Sequence, residues 1–201
     1  GLTTWTVRNC VAYPGGININ TVSFGTPGTQ GPATVENFTA IGDQMRLRDL
    51  PLASIVRNCI VAESGSFGVN ANAGMVASYI DYFNNAGGNN HTVSNPFTFN
   101  PRTGAPASLL YPLRIEAGSS AKGVGFGGGD LGANIVYRYG LDGTFQGDPG
   151  FDTLTTTPLW PYPNEARIKA DMAADSTRGF CAPSETLTHY VWNFLGNGSP
   201  Y

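Results

Sequence analysis

Thr6-Val-Arg-Asn-Cys-Val-Ala-Tyr13, Thr34-Val-Glu-Asn-Phe-Thr-Ala-Ile41, Ile55-Val-Arg-Asn-Cys-Ile-Val-Ala62 and Met75-Val-Ala-Ser-Tyr-Ile-Asp-Tyr82 align without a gap, and their reading decides the fold. Their starts lie 28, 21 and 20 residues apart. Each holds a β-prone core, and each is followed by a turn signal: Pro14-Gly15-Gly16, Gly42-Asp43, Ser64-Gly65 and Asn84-Asn85-Ala86-Gly87-Gly88. A period of this length with strand character suits one turn of a β-solenoid, whose successive coils stack about 4.8 Å apart. Val7, Val35, Val56 and Val76 then form an aliphatic stack inside. Asn9, Asn37 and Asn58 form a second stack at a bend, a structural ladder in which each amide bonds the next, with Ser78 ending it in the fourth coil. Segments 17–24 and 66–72 alternate well enough to supply second strands.

Composition agrees with many short strands joined by tight turns. Charged residues are only 12% of the 201, about half the usual share, while Gly numbers 27 and Pro 14. An apolar content of 41% with so little charge is not that of a disordered chain. The net charge of −3 and eleven scattered basic residues speak against nucleic acid as a partner. No stretch reaches the roughly 20 apolar residues of a membrane span. A start at Gly-Leu-Thr-Thr without Met is the mark of a processed or truncated product.

The repeat resembles the right-handed parallel β-helix family of secreted bacterial proteins. Leu113-Arg-Ile-Glu-Ala-Gly118 followed by Gly129-Asp-Leu-Gly-Ala133 looks like that family's closing coil, and the likeness spans roughly residues 5–140. It implies an all-β solenoid over 1–140, a secreted or cell-surface location, and a continuation upstream. The competing reading is an antiparallel β-sandwich with accidental repeats. Residues 141–201 differ in character: an extended Pro158-Leu-Trp-Pro-Tyr-Pro163 segment precedes two short helices expected to pack on the solenoid. The first has Asn164 as N-cap, Glu165 in its first turn, and ends near Ala174. The second follows Pro183-Ser184 and carries Leu187, Tyr190, Val191, Phe194 and Leu195 on one apolar face up to Gly196. This order is similar to C-terminal extensions of uncharacterised secreted β-helix proteins.

Cys10 and Cys59 share a repeat position two coils apart, about 9–10 Å, beyond the reach of a disulfide. Cys181 is the odd thiol, and no spacing fits a zinc ribbon or an attached haem. His91 falls in a polar turn and His189 beside the apolar face of the second helix, so no catalytic triad, metal site or cofactor site is expected. The Gly-rich run 123–129 lacks the helix and Lys of a phosphate loop and reads as a turn. Asp43, Arg46, Arg48 and Asp49 crowd a loop expected to be a solvated turn. Arg8, Glu36 and Arg57 occupy one row after the inward Val, a cross-strand charge ladder or the charges of a groove. Tyr13, Tyr79, Tyr82, Phe83, Trp160 and Tyr162 are the rings that could stack on sugars, with Tyr82, Trp160 and Tyr162 foremost. Three N-x-Ser/Thr sequons, at Asn37, Asn90 and Asn197, carry little weight.

Two classes of function follow. One is a non-catalytic extracellular structural or adhesion protein that self-associates head to tail through its first strand, or meets upstream coils there. The other is a polysaccharide lyase or glycosidase (or its C-terminal portion), or a carbohydrate-binding module.

Overall fold

The computed structural model describes residues 4–12, 32–42, 45–47, 53–65, 69–71, 75–89, 91–101, 115, 118–141, 144, 146–162, 165–173 and 178–194. Tyr13, segment 17–24, Asp43, Arg48, Asp49, Asn90, Asn164 and residues 195–201 lie outside them, with the expectations that fell there. The chain divides into two units, Gly1–Asn134 and Ile135–Tyr201.

Four strands, β1 (Trp5–Ala12), β2 (Ala33–Ile41), β4 (Ile55–Ala62) and β6 (Val76–Phe83), form one parallel sheet in that order. Between them in sequence, β3 (Met45–Leu47) and β5 (Val69–Ala71) pair with each other, also in parallel. β3 lies in the stretch expected to be a solvated turn, and Met45 is in the core. The first three repeats pair as aligned: Val7 with Val35 and Val56, and Arg8 with Glu36 and Arg57. The fourth slips by one residue. Val56 pairs with Ala77 and Arg57 with Ser78, so Ala77 continues the inner stack while Val76 is 55% exposed. The residue at the Asn position is therefore Tyr79, not Ser78.

The cause is a backbone feature shared by all four strands. Asn9, Asn37, Asn58 and Tyr79 have φ of 54°, 51°, 56° and 53°, the left-handed region that Asn tolerates best among residues with a Cβ. One left-handed residue inside a strand shifts the alternation by one. Val56 faces the first core cluster, Arg57 faces away, and after Asn58 the inward residues are Cys59 and Val61. Ile60 and Ala62 then face a second cluster with Ile41, Ile115, Ala121 and Leu131. The sheet is thus buried on both faces beyond the bend, as parallel sheets are.

A fifth rung follows. Ser94 bridges to Ser78 and Phe97 to Asp81, both in parallel, and Asn95 between them again has φ 53°. Val93-Ser-Asn-Pro-Phe97 is a further copy of the Val-x-Asn repeat.

The second unit holds an antiparallel pair, β7 (Tyr137–Tyr139) with β8 (Leu154–Pro158), and helices α1 (Glu165–Ala173) and α2 (Leu187–Phe194). The mostly β composition agrees with the all-β class. The buried side of α2 is not the expected one: Thr188 and Trp192 are buried, while Tyr190 and Phe194 are exposed. Two local contacts select it. Trp192 meets Trp160 edge to face at 5.8 Å, and Thr188 binds the Glu165 carboxylate.

Candidate functional site

The Arg8–Glu36–Arg57 row is a charge ladder in the geometry as well as in the alignment. Arg57 Nε donates to Glu36 Oε1, and Arg8 Nε stands 3.6 Å from Glu36 Oε2. The Arg57 guanidinium also lies 4.3 Å from the centre of the Phe126 ring, which packs edge-on against Tyr79. Arg57 thus has two electrostatic partners, and Arg8, at the end of the row, has a share of one.

The Asn column does something other than bond amide to amide. Residues 119–134 run across the sheet from β4 to β1, and each amide grips the backbone of this strap. Asn58 Oδ1 accepts from Phe126 N at 2.7 Å, and Asn37 Nδ2 donates to Asp130 O at 2.9 Å and Gly132 O at 3.2 Å. Asn9 Oδ1 accepts from Asn134 N at 2.6 Å while its Nδ2 donates to Asn134 O. Two strap carbonyls take both amide hydrogens of Asn37, which leaves none for a neighbouring Asn. Thr39 Oγ1 accepts from Ala133 N at 2.7 Å beside this column. Within the strap, Lys122 Nζ and Gly123 N both donate to the Asp130 carboxylate, closing its Gly-rich bend. That bend must be glycine where it touches the column, because a Cβ on Gly125 would stand 2.6 Å from Asn58 Oδ1.

Replacing Asn37 with Gly keeps the left-handed backbone but removes the clasp. Such a variant is expected to lose about 1–3 kcal/mol, the cost of stranding partly buried carbonyls, and urea unfolding read by tryptophan fluorescence measures it. An unchanged midpoint would mean that the strap holds without the column.

Of the rings proposed for sugar contact, two are not available. Tyr82 is 9% exposed and lies in the first core cluster, and burial pushes its phenol pKa well above the ordinary value. Trp160 is 6% exposed, donates from Nε1 to Ile135 O and packs on Trp192. Both are large apolar rings beside other buried residues, and burial of their area outweighs any use of them at the surface. Tyr162 keeps 37% exposure, beside Trp160.

Cys10, Cys59 and Cys181 are all free thiols. Cys10 pairs in register with Phe38 and Cys59 with Ile80, and burial pushes the Cys59 thiol up to about 12, which favours the protonated thiol. His91 Nε2 lies 3.0 Å from Met75 O, and His189 Nδ1 pairs with Glu185 one helical turn earlier. Among the described residues no group of three His, Cys, Asp or Glu is placed to hold a metal ion, and no helix is long and apolar enough to cross a membrane.

Three features carry no local signal in the sequence. The strap's contact with the column joins residues up to 125 apart, so no local pattern announces it. The fifth rung was hidden by Pro96 inside a strand-like run. Asp81 reads in the sequence as part of an alternating strand, yet it is fully buried opposite Ile60 and beside Phe97. In the second unit Glu165 Oε1 accepts from Tyr162 N and Thr188 N, and Lys169 Nζ donates to the carbonyls of Ala182 and Glu185, so the charges there tie α1 to α2. A cleft of about 340 Å³ along the β7–β8 hairpin is lined by Arg138, Gly140, Leu141, Thr155, Thr156 and Thr157.

Comparison with family models, curated proteins and solved structures finds no match for the chain. The case for its function therefore rests on its own residues.

Proposed function

We propose that the protein is a non-catalytic structural or adhesion module of an extracellular or cell-surface assembly, folded as a right-handed parallel β-helix. Strands alternating between two parallel sheets, β2, β3, β4, β5 and β6 in turn, support the helical path. The observation that carries the functional reading is the use made of the polar side chains. Glu36 is spent on two arginines, the Asn column on the strap, Asp130 on Lys122 and Gly123, and Glu165 on the Tyr162 and Thr188 amides. Chemistry on a polysaccharide needs carboxylates free to exchange protons or attack, in pairs about 5–10 Å apart. Glu36, Asp130 and Glu165 serve as connections, which favours a scaffold.

A panel of neutral, uronic and sulfated polysaccharides, scored for new reducing ends and for unsaturated products, tests this. No turnover is expected. Turnover that Glu36→Gln abolishes without loss of fold would overturn the reading.

The head-to-tail filament is the less favoured form of the assembly. Ser94 and Phe97 spend both backbone groups on β6, so the next position is faced by the groups between and beside them. One of these belongs to Pro96, which has no N–H to give, a usual way of ending a sheet.

Glycan binding without chemistry is a second reading, favoured by the β7–β8 cleft. It places an arginine and three threonines next to Tyr137 and Tyr139, which are both exposed. With Tyr162 these rings, rather than Tyr82 or Trp160, are the ones to replace in a binding assay.

A further inference from the structure

The cleft along the β7–β8 pair owes its shape to a break in register. Tyr137 pairs with Pro158 and Tyr139 with Leu154, so Arg138 alone stands opposite Thr155, Thr156 and Thr157. A regular strand would turn the middle one of three consecutive residues away from the other two. Here all three line the cleft together with Arg138, because the surplus residues bow β8 out and re-aim its side chains, as bulges do. Thr155 holds the bulge: its Oγ1 donates to Arg138 O at 2.7 Å and accepts from Thr157 N at 3.2 Å. Thr156 and Thr157 are exposed, and among the described residues nothing bonds to their hydroxyls.

These groups fit one chemistry. The Thr156 and Thr157 hydroxyls can each donate and accept, and the Arg138 guanidinium offers donors in a planar fork. Leu141, 52% exposed, adds an apolar wall, and Gly140 beside it carries no side chain. A ligand with many hydroxyls on a CH frame, a sugar, answers both kinds of surface. A volume of about 340 Å³ lies at the lower end of small-molecule sites, room for about one or two sugar rings. Charge narrows the class. The connection between β7 and β8, residues 140–153, holds Asp142, Asp148 and Asp152 and no Lys or Arg. The whole unit, Ile135–Tyr201, has four Lys or Arg against seven Asp or Glu, a net charge of −3. Arg138 is the only cation among the lining residues, and the acidic unit around it repels a chain of uronates or sulfates.

We infer that the bulge of β8 forms, with Arg138 and Leu141, a binding site for a neutral sugar unit of a glycan, with no chemistry done on it. The Thr156 and Thr157 hydroxyls bond to sugar hydroxyls, Arg138 donates to a further one, and Leu141 packs on the CH face. Tyr137 and Tyr139 flank Arg138 in β7 and so point to the other side of the pair, which lets the rings and the cleft be tested apart. The inference rests on the glycan-binding reading above, and gives that reading a site and a sugar class.

The full chain is titrated with neutral tetrasaccharides of glucose, xylose, mannose and N-acetylglucosamine, and with galacturonate and sulfated galactose tetrasaccharides, and followed by amide chemical shifts. A neutral tetrasaccharide is expected to bind more tightly than either acidic one, with shifts centred on Gly140, Leu141 and Thr155 to Thr157. Thr156→Val and Thr157→Val keep the branched shape and remove the hydroxyl. Each should weaken binding about fivefold, the loss of one hydrogen bond, without moving the thermal midpoint. Arg138→Gln should weaken it as well, and if that variant fails to fold the two threonine variants decide. Tyr137→Ala should leave binding unchanged. Preference for an acidic sugar, shifts elsewhere, or loss in Tyr137→Ala but not in the threonine variants would overturn the cleft while leaving glycan binding in place. No binding of any of these sugars at millimolar concentration would overturn both.

Discussion

Asp81→Asn is expected to make the sheet unit more stable above neutral pH and to flatten its response to pH. The Asp81 carboxyl is fully buried, and neither oxygen has a hydrogen-bond partner of ordinary geometry. Burial pushes its pKa up to about 7, and the nearby Phe99 backbone N–H offsets only part of that rise. A carboxyl with a raised pKa keeps its proton in the fold at pH values where the unfolded chain has lost it. Stability therefore falls as pH rises from about 4, near the unfolded value, and levels off above about 7. At about 1.4 kcal/mol per unit, the loss across that window is about 4 kcal/mol.

Asparagine is neutral throughout, so the variant should show little slope between pH 4 and 8 from this site. Its urea midpoint should exceed that of the unmodified protein most at pH 8. Near pH 4 the two should converge, less whatever the amide loses by lacking partners of its own. Equal slopes for the two proteins would mean that Asp81 is not the group that titrates. The region concerned is where β6 meets the fifth rung, because Asp81 bridges to Phe97 and lies near the Phe99 backbone. Hydrogen exchange at Phe97 N and Tyr82 N should accordingly quicken with pH more steeply in the unmodified protein than global opening explains.

How far the sequence leads can be judged from neighbouring rungs. β1, β2 and β4 align correctly because each carries Val-x-Asn, and the Asn marks the left-handed bend that fixes the register. The same rule misplaces β6 by one residue, because there the bend is made by Tyr79 and the nearest small polar residue, Ser78, draws the alignment. Tyrosine at positive φ is rare, and only its packing against Phe126 shows what favours it. Register in turn places the Arg8, Glu36 and Arg57 row, so that row is legible. The partner of the Asn column is not: an amide needs bonding, but composition does not tell a neighbouring amide from a strap some 90 residues on. Exposure of rings is equally hidden, since nothing local to Tyr82 or Trp160 distinguishes a ring that caps a core from one that meets a sugar. Asp81 is the reverse case, a charged residue whose strand position places it inside, against its own preference.

The strap offers the other large effect, through two glycines of similar positive φ. Gly132 has φ 79° and Gly127 φ 68°, so an alanine at either is strained to a similar degree, about 1 kcal/mol. Their surroundings differ. A Cβ at Gly127 would meet nothing within 4 Å. At Gly132 it would stand 2.7 Å from both Ile60 Cδ1 and Thr39 Oγ1. Ile60 is fully buried in the second cluster, and Thr39 Oγ1 already accepts from Ala133 N, so neither can give way without cost. Gly132→Ala is therefore expected to lose about 2–4 kcal/mol, backbone strain plus overpacking, against about 1 kcal/mol for Gly127→Ala. Because Gly132 N also donates to Asn58 O, and its carbonyl accepts from Asn37, the displacement should loosen the clasp as well. Combining Gly132→Ala with Asn37→Gly should then cost less than the two losses added, since both act on one contact. Additive losses would mean that the strap is anchored elsewhere and that the column is a local backbone device only.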